Sequence, residues 1–223
     1  MKEGKLLSVN VGLPREVKWR REIVLTSIFK KPVEGTIRVS RLNLEGDKQS
    51  DLTVHGGPAK AVYVYPSEHY SYWKAELPEV EFPWGAFGEN LTTEGLLEPD
   101  IQIGDRIKIG SAEFQVTQPR MPCFKLGIRF QRADIVKKFL KSGRSGFYLS
   151  VQKEGSITKG DRIDAAPIGE ESLSVRDIFH LYTGKKPDRE LLRRAGELKL
   201  LPDGLRNHFL REYEDGEEEF YEE

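Results

Sequence analysis

The chain is predicted to be mainly β, a closed or nearly closed antiparallel barrel with a few helices, followed by a small unit of three helices. Three observations predict this. Short runs rich in β-branched and aromatic residues recur, cut by glycine-containing turns. Helical periodicity interrupts them in only two places. After Pro167 the character changes to successive amphipathic helices. The expected division is a barrel over residues 1–166 and an appendage with an acidic tail over residues 167–223.

The first strand falls on Leu6-Leu7-Ser8-Val9-Asn10-Val11. Residues 21–29 carry apolar side chains on both faces, with Ile23 and Leu25 on one and Val24 and Ile28 on the other, which predicts a largely buried strand. Residues 36–40 alternate, and Ala61-Val62-Tyr63-Val64-Tyr65 is rich in β-formers. Gly104-Asp105 and Gly110-Ser111 bracket Arg106-Ile107-Lys108-Ile109, and residues 113–117 put Phe114 and Val116 on one face. Gly155-Ser156 and Gly160-Asp161 punctuate a last pair near residues 148–151 and 162–165. Repeated short strands with such turns favour barrel closure.

Ser67 is placed to cap a helix whose Tyr70, Trp73 and Leu77 share a face, and residues 133–141 carry a second stripe of Ile135, Val136, Phe139 and Leu140. Ser174 is placed to cap a third helix, with Val175, Ile178, Phe179 and Tyr182 on one side, ended by Gly184 and Pro187. Asp188 caps a fourth, and Pro202 opens a fifth with Leu205, Phe209 and Tyr213 spaced by four. None of the three C-terminal helices is expected to be stable alone, so each must bury its stripe. The acidic residues from Glu212 onward are expected to fray.

Composition narrows the function classes. In 223 residues, 38% are hydrophobic and 32% charged, and 35 Lys and Arg against 36 Asp and Glu leave a net charge of −1. Such a balance points to neither nucleic acid nor a membrane surface as partner. No apolar run approaches the length of a membrane span, and the first ten residues lack a signal-peptide core, so the cytoplasm is the expected compartment. One cysteine, Cys123, excludes an internal disulfide or a CxxC pair. A lone thiol packs, attacks, or gives one ligand to a metal.

Dinucleotide, P-loop, HExxH and G-x-S-x-G signatures are missing, and four histidines with one cysteine give no structural zinc spacing. Four clusters remain. One is Leu44-Glu45-Gly46-Asp47-Lys48-Gln49-Ser50-Asp51, whose plain reading is a polar turn. A second is His55-Gly56-Gly57-Pro58-Ala59-Lys60-Ala61, in which paired glycines allow a ligand close to the backbone and Lys60 can meet a phosphate. A third is Gly85-Ala86-Phe87-Gly88-Glu89-Asn90-Leu91-Thr92, where Asn90 offers both a donor and an acceptor. The fourth is Gln118-Pro119-Arg120-Met121-Pro122-Cys123: two prolines break any ladder, and Arg120 with Lys125 places positive charge near the thiol. Each alone suits a turn. Together they lie at strand ends, where the mouth of a barrel holds its ligand.

Taken as a set, these clusters resemble the MOSC family, named for the molybdenum-cofactor sulfurase C-terminus. The match is close to its bacterial branch linked to 6-N-hydroxylaminopurine resistance. The likeness is extended by Gly104-Asp105, Gly143-Arg144-Ser145-Gly146-Phe147-Tyr148 and Gly160-Asp161, and covers roughly residues 6–165. The three C-terminal helices resemble the domain appended in that branch.

The resemblance implies a β-barrel that binds the molybdenum cofactor, a pterin whose dithiolene holds the metal, with Cys123 as thiolate ligand. It implies basic residues near the pterin phosphate, for which Lys30, Lys31, Lys60, Arg120 and Arg144 are the candidates, with Gly56 and Gly57 beside them. His55 and Asn90 are assigned to position or protonate substrate from their place at the mouth. The implied reaction reduces N-hydroxylated purines and related hydroxylamines to amines. No flavin, haem or iron–sulfur motif is visible, so a separate protein must supply electrons. Sulfur transfer through a Cys123 persulfide and cofactor binding without turnover are the alternatives. The chain is expected to act as a monomer or homodimer.

Overall fold

The computed structural model describes residues 2–50, 56–169, 172–184 and 187–221, with side chains as far as Asp215. In chain order the strands are β1 (Lys2–Val11), β2 (Arg15–Trp19), β3 (Glu22–Thr26), β4 (Lys31–Val33), β5 (Thr36–Val39) and β6 (Val62–Pro66). There follow α1 (Glu68–Glu76), β7 (Leu91–Glu94), β8 (Arg106–Ile109), β9 (Ala112–Pro119), α2 (Phe124–Phe130) and α3 (Ile135–Ser142). Next come β10 (Phe147–Lys153), β11 (Gly155–Thr158), β12 (Arg162–Ala166), α4 (Val175–Thr183), α5 (Arg189–Glu197) and α6 (Asp203–Tyr221).

The barrel closes as predicted. Strands run β12-β8-β9-β10-β6-β7-β1, and β1 pairs back onto β12 through Lys2↔Ala165 to Lys5↔Arg162. Closure leaves no edge strand within the ring. One pairing differs from the antiparallel expectation: β6 and β7 run parallel, Val64 opposite Leu91. A parallel neighbour needs a long crossover, and α1 with residues 77–90 supplies it.

The pleat of β6 explains why all five of its residues are buried. Val62 and Val64 face the barrel core with Leu6, Val9, Phe114, Val116, Phe147 and Leu149. Tyr63 and Tyr65, on the alternate side, join Tyr70, Trp73, Phe87 and Phe139 beneath α1 and α3. Trp73 Nε1 donates to the Tyr65 hydroxyl at 2.7 Å, so this aromatic layer keeps its polar atoms satisfied.

Several expectations are corrected. Residues 21–29 do not form a buried strand: β3 pairs only with β2 in a separate hairpin, and Ile23 is 71% exposed. Gly155-Ser156 is not a turn but part of β11, which pairs with β5 outside the ring. Ser67 sits at the N-cap of α1 without a side-chain capping bond. The α6 helix runs into the acidic tail as far as Tyr221.

The three C-terminal helices are present, with the predicted caps. Ser174 and Asp177 form a reciprocal capping box, and Asp188 accepts from Leu191 N–H at 3.0 Å. Val175, Ile178 and Leu181 of α4, Leu192 and Ala195 of α5, and Phe209 of α6 belong to the same apolar core as the barrel strands. The join is also hydrogen-bonded: Ile103 N–H donates to Leu173 O at 2.9 Å, and Val175 N–H to Ile101 O at 2.9 Å. No helix among the described residues is long and apolar enough to cross a membrane.

Candidate functional site

One cavity gathers pieces of all four sequence clusters. Its walls include Ser27, Lys30, Asp47, Lys60, Tyr63, Asn90, Arg120, Cys123, Lys125 and Tyr148. The cavity has a volume of about 100 Å³ and is open to solvent.

The cysteine arrives here because β9 stops at Pro119. Arg120 N–H still donates to Gly146 O at 3.3 Å, after which Pro122 carries the chain off the sheet. Cys123 takes an extended backbone (φ −122°, ψ 174°) at the N-cap of α2 and is partly exposed. The adjoining segment is pinned from behind by Glu98, a buried carboxylate that accepts Gly146 N–H at 2.7 Å and His69 Nε2–H at 2.8 Å. Gly146 is required there: its φ is +62°, and a Cβ would lie 2.3 Å from Val64 O.

Arg120 is 6% exposed, with its guanidinium carbon 5.0 Å from the Tyr63 ring and 5.2 Å from the Phe139 ring. Burial works against its charge, but Tyr63, Tyr148 and Cys123 around it hold its pKa above the ordinary arginine value. Burial raises the Tyr63 and Tyr148 phenols, with Arg120 opposing. The Arg120 Nη1 and the Ser27 Oγ are both buried without a hydrogen-bond partner. In a cavity wall such atoms leave hydrogen-bonding capacity that a ligand can take up.

The floor is a closed polar set. Asp47 pairs with Lys30 and accepts Gly12 N–H at 2.8 Å on the same oxygen, while its other oxygen accepts Asn90 Nδ2–H at 2.9 Å. Asn90 also accepts Tyr63 N–H through Oδ1 at 3.1 Å. Its amide is therefore engaged by the scaffold, which makes it a floor group rather than the substrate-handling group expected. Lys30 has its pKa lowered by burial, which Asp47 partly offsets.

Glu89, next in sequence, is fully buried and shapes the adjoining loop. It accepts from Gly85 N–H at 2.7 Å, Phe87 N–H at 3.0 Å and Thr92 Oγ at 3.0 Å, and from the Tyr70 hydroxyl. Burial raises its pKa, with those donors opposing.

The other predicted residues divide. Lys60 lines the cavity, and burial lowers its pKa. Gly57, with φ +90°, starts the 3₁₀ turn that carries it but does not line the cavity. Gly56 likewise stands outside the wall. Lys31 is exposed on β4, because alternation turns it away once Lys30 points inward. Arg144 lies elsewhere, stacked 3.8 Å over Tyr72 and donating to Ser142 O at 2.9 Å. His55 lies outside the described residues. Sequence reasoning assigned no role to Asp47, Ser27, Tyr63 or Tyr148. Only the Gly46-Asp47 turn, with Gly46 at φ +79°, signalled Asp47.

Among the described residues no three His, Cys, Asp or Glu side chains are placed to hold a metal ion together. The protein itself offers a metal one soft ligand, Cys123, in a partly buried, cationic setting.

This barrel and mouth define a class. The MOSC domain matches residues 51–164, and the chain belongs to that family. It is 41% identical over 171 residues to the uncharacterized protein YflK of Bacillus subtilis, covering 77% of each chain. It is 32% identical to YiiM of Geobacillus stearothermophilus, whose crystal structure superposes with a TM-score of 0.78 over 94% of this chain and 99% of that one. It is also 32% identical over 202 residues to a protein named Reductase from Gibberella moniliformis; the match takes 89% of this chain but 36% of that longer one. MOSC domains are associated with binding of the molybdenum cofactor.

Proposed function

We propose that this chain is a molybdenum-cofactor-dependent reductase that converts N-hydroxylated compounds, hydroxylaminopurines among them, to amines. The observation that carries the proposal is the pair of orphaned donors, Arg120 Nη1 and Ser27 Oγ, buried in the same cavity as Cys123.

The residues present fit the cofactor. A thiolate suits a metal already held by the soft sulfurs of a dithiolene. Arg120, Lys60 and Lys125 give an anionic phosphate its counter-charges, and Arg120 does so with a planar donor fork fixed between Tyr63 and Phe139.

When bound, the cofactor supplies the two-electron chemistry at its metal. The balance is R–NH–OH plus two electrons and two protons, giving R–NH₂ and water. The chain's own part is to bind and orient. Cys123 contributes one ligand, Arg120 and Lys125 set the charge, and the Lys30–Asp47–Asn90 floor keeps the recess rigid. The name of the Reductase relative is in keeping with a redox role.

The test uses protein made in a host with intact cofactor synthesis and reduced by a viologen dye. Hydroxylaminopurine reduction by wild type, with loss of about 100-fold or more in Cys123→Ala, is expected, on the scale of removing a group central to the reaction. Full turnover by a cofactor-loaded Cys123→Ala protein would sink the assignment.

A further inference from the structure

We infer that Glu98 is a positioning residue for the Arg120 side of the Cys123 cavity, acting through the Ser145–Gly146 peptide. The carrying observation is that Tyr63 and Arg120, both in the cavity wall, are bonded to the two carbonyls of this dipeptide, while its central N–H is given to Glu98. Glu98 is 2% exposed and, with His69, lines a different cavity from Cys123. The inference rests on the reading of the Cys123 cavity as the cofactor site.

The peptide joining Ser145 to Gly146 is held at both of its polar atoms. Its carbonyl accepts the Tyr63 hydroxyl at 2.8 Å, and its N–H donates to Glu98 Oε1 at 2.7 Å. The next carbonyl, Gly146 O, accepts Arg120 N–H at 3.3 Å and the Ser145 hydroxyl at 2.8 Å. Ser145 is fully buried, and the Val64 carbonyl with the Tyr63 and Tyr65 rings crowds the space a Cβ at Gly146 would need. Packing fixes the loop against β6, and the bond to Glu98 fixes how the peptide is turned. Arg120 depends on that turn. Its Nη1 has no acceptor, and its guanidinium carbon lies 5.0 Å from the Tyr63 ring and 5.2 Å from the Phe139 ring. The backbone of Arg120 is tied to Gly146 O, and the Tyr63 ring beside its guanidinium is tied to Ser145 O.

A neutral oxygen would satisfy one N–H. A carboxylate makes a shorter and stronger bond, but its charge must be compensated once it is buried. His69 does this. Its Nε2 lies 2.9 and 2.8 Å from the two Glu98 oxygens, and because an ionised carboxylate only accepts, the imidazole N–H donates. The His69 ring is itself set edge-on to Tyr65, with centroids 5.3 Å apart. The main chain of Glu98 is held as well, since its carbonyl accepts Arg176 N–H of α4 at 3.2 Å. Glu98 therefore joins α1, the loop before β10 and the first turn of α4 at one buried point, and the loop carries that fixed point to Arg120 and Tyr63.

The test uses the full chain, first without cofactor and then purified from a host with intact cofactor synthesis. In the first arm, NMR of isotope-labelled protein follows solvent exchange of the Arg120 Nε–H, which Glu98→Leu is expected to speed by about tenfold or more. In the second arm, release of pterin from the loaded protein is expected to be about tenfold faster, the scale on which groups behind a ligand act. Glu98→Asp keeps the charge beside His69 but falls a methylene short of Gly146; it should move both readouts the same way, and it decides the matter where Glu98→Leu fails to fold. Glu98→Gln keeps an oxygen for Gly146 N–H and should restore both. In an Arg120→Ala background Glu98→Leu should speed pterin release no further, whereas a merely structural role would add to it. Arg120 exchange at the wild-type rate in the folded variants, or faster exchange with unchanged pterin release, would overturn the positioning role. Additive release in the double variant, or no recovery in Glu98→Gln, would overturn the route through Gly146 and Arg120. Faster Arg120 exchange in variants of a protein whose wild type holds no pterin would retain the positioning of Arg120 and overturn the cofactor reading instead.

Discussion

Asp47 and Lys30 form a buried ion pair at the floor of the cavity, their side chains 1% and 8% exposed. The pair is locked on both sides, because Asp47 also takes Gly12 N–H and the Asn90 amide. It fixes the first strand, the third cluster and the lysine segment to one another.

Replacing Asp47 with Asn strands the Lys30 ammonium in a buried site. The expected cost is about 3–5 kcal/mol, read from urea unfolding. Lys30→Met/Asp47→Asn should recover part of that loss, since both charges are then gone. A double variant as unstable as the sum of its singles contradicts the pairing.

Glu89 yields a pH signature. Burial raises its pKa above the carboxylate value of 4.5, so in the window just above 4.5 the folded state binds more proton than the unfolded state. Its contribution to stability is therefore complete below pH 4.5 and falls as pH rises through the folded pKa. Glu89→Gln removes this slope but sets an amide N–H₂ among N–H donors, at a cost of about 1–3 kcal/mol. Melting curves of both proteins between pH 4 and 8 check it; parallel pH dependences would contradict it.

Arg144 separates motif from geometry. It stacks on Tyr72 away from the cavity, so Arg144→Ala should leave cofactor content equal to wild type and cost about 0.5–1 kcal/mol of stability. Arg120→Ala, by contrast, removes the orphaned donor and should lower cofactor retention. Pterin released on denaturation measures both. Loss of pterin in Arg144→Ala contradicts the placement.

The C-terminal helices share the barrel's core, and a chain ending at Pro167 loses Leu173, Val175, Ile178 and Phe209 from it. At about 1.5–3 kcal/mol for each large apolar side chain, the loss approaches the whole stability of a domain. The truncated chain is expected to lack a cooperative unfolding transition. A sharp transition in calorimetry would show instead that residues 1–167 fold alone.

Much of this was legible in the sequence. Alternation within β8 and β9 and the glycine turns between strands announced the barrel, and the capping residues announced α4 and α5. Cys123, Lys30, Lys60, Asn90 and Arg120 came together as motif placement suggested. What failed depended on tertiary partners. Ile23 and Leu25 beside Val24 have the apolar density of a buried strand, and nothing local states that the strand pairs outside the ring. The parallel run of β7 beside β6 is set by how α1 returns the chain. The α2 helix was hidden because two prolines precede it and Gly127 interrupts it. Asp47 looked like an ordinary turn residue because its role exists only once Lys30 and Asn90 are brought beside it from distant parts of the chain.

The most direct measurement is molybdenum and pterin content of wild-type and Cys123→Ala protein purified from a host with intact cofactor synthesis. Near-stoichiometric molybdenum in the wild type and its loss from the variant is the expected result. Equal molybdenum in both, or none in either, contradicts Cys123 as the ligand of a bound molybdenum cofactor.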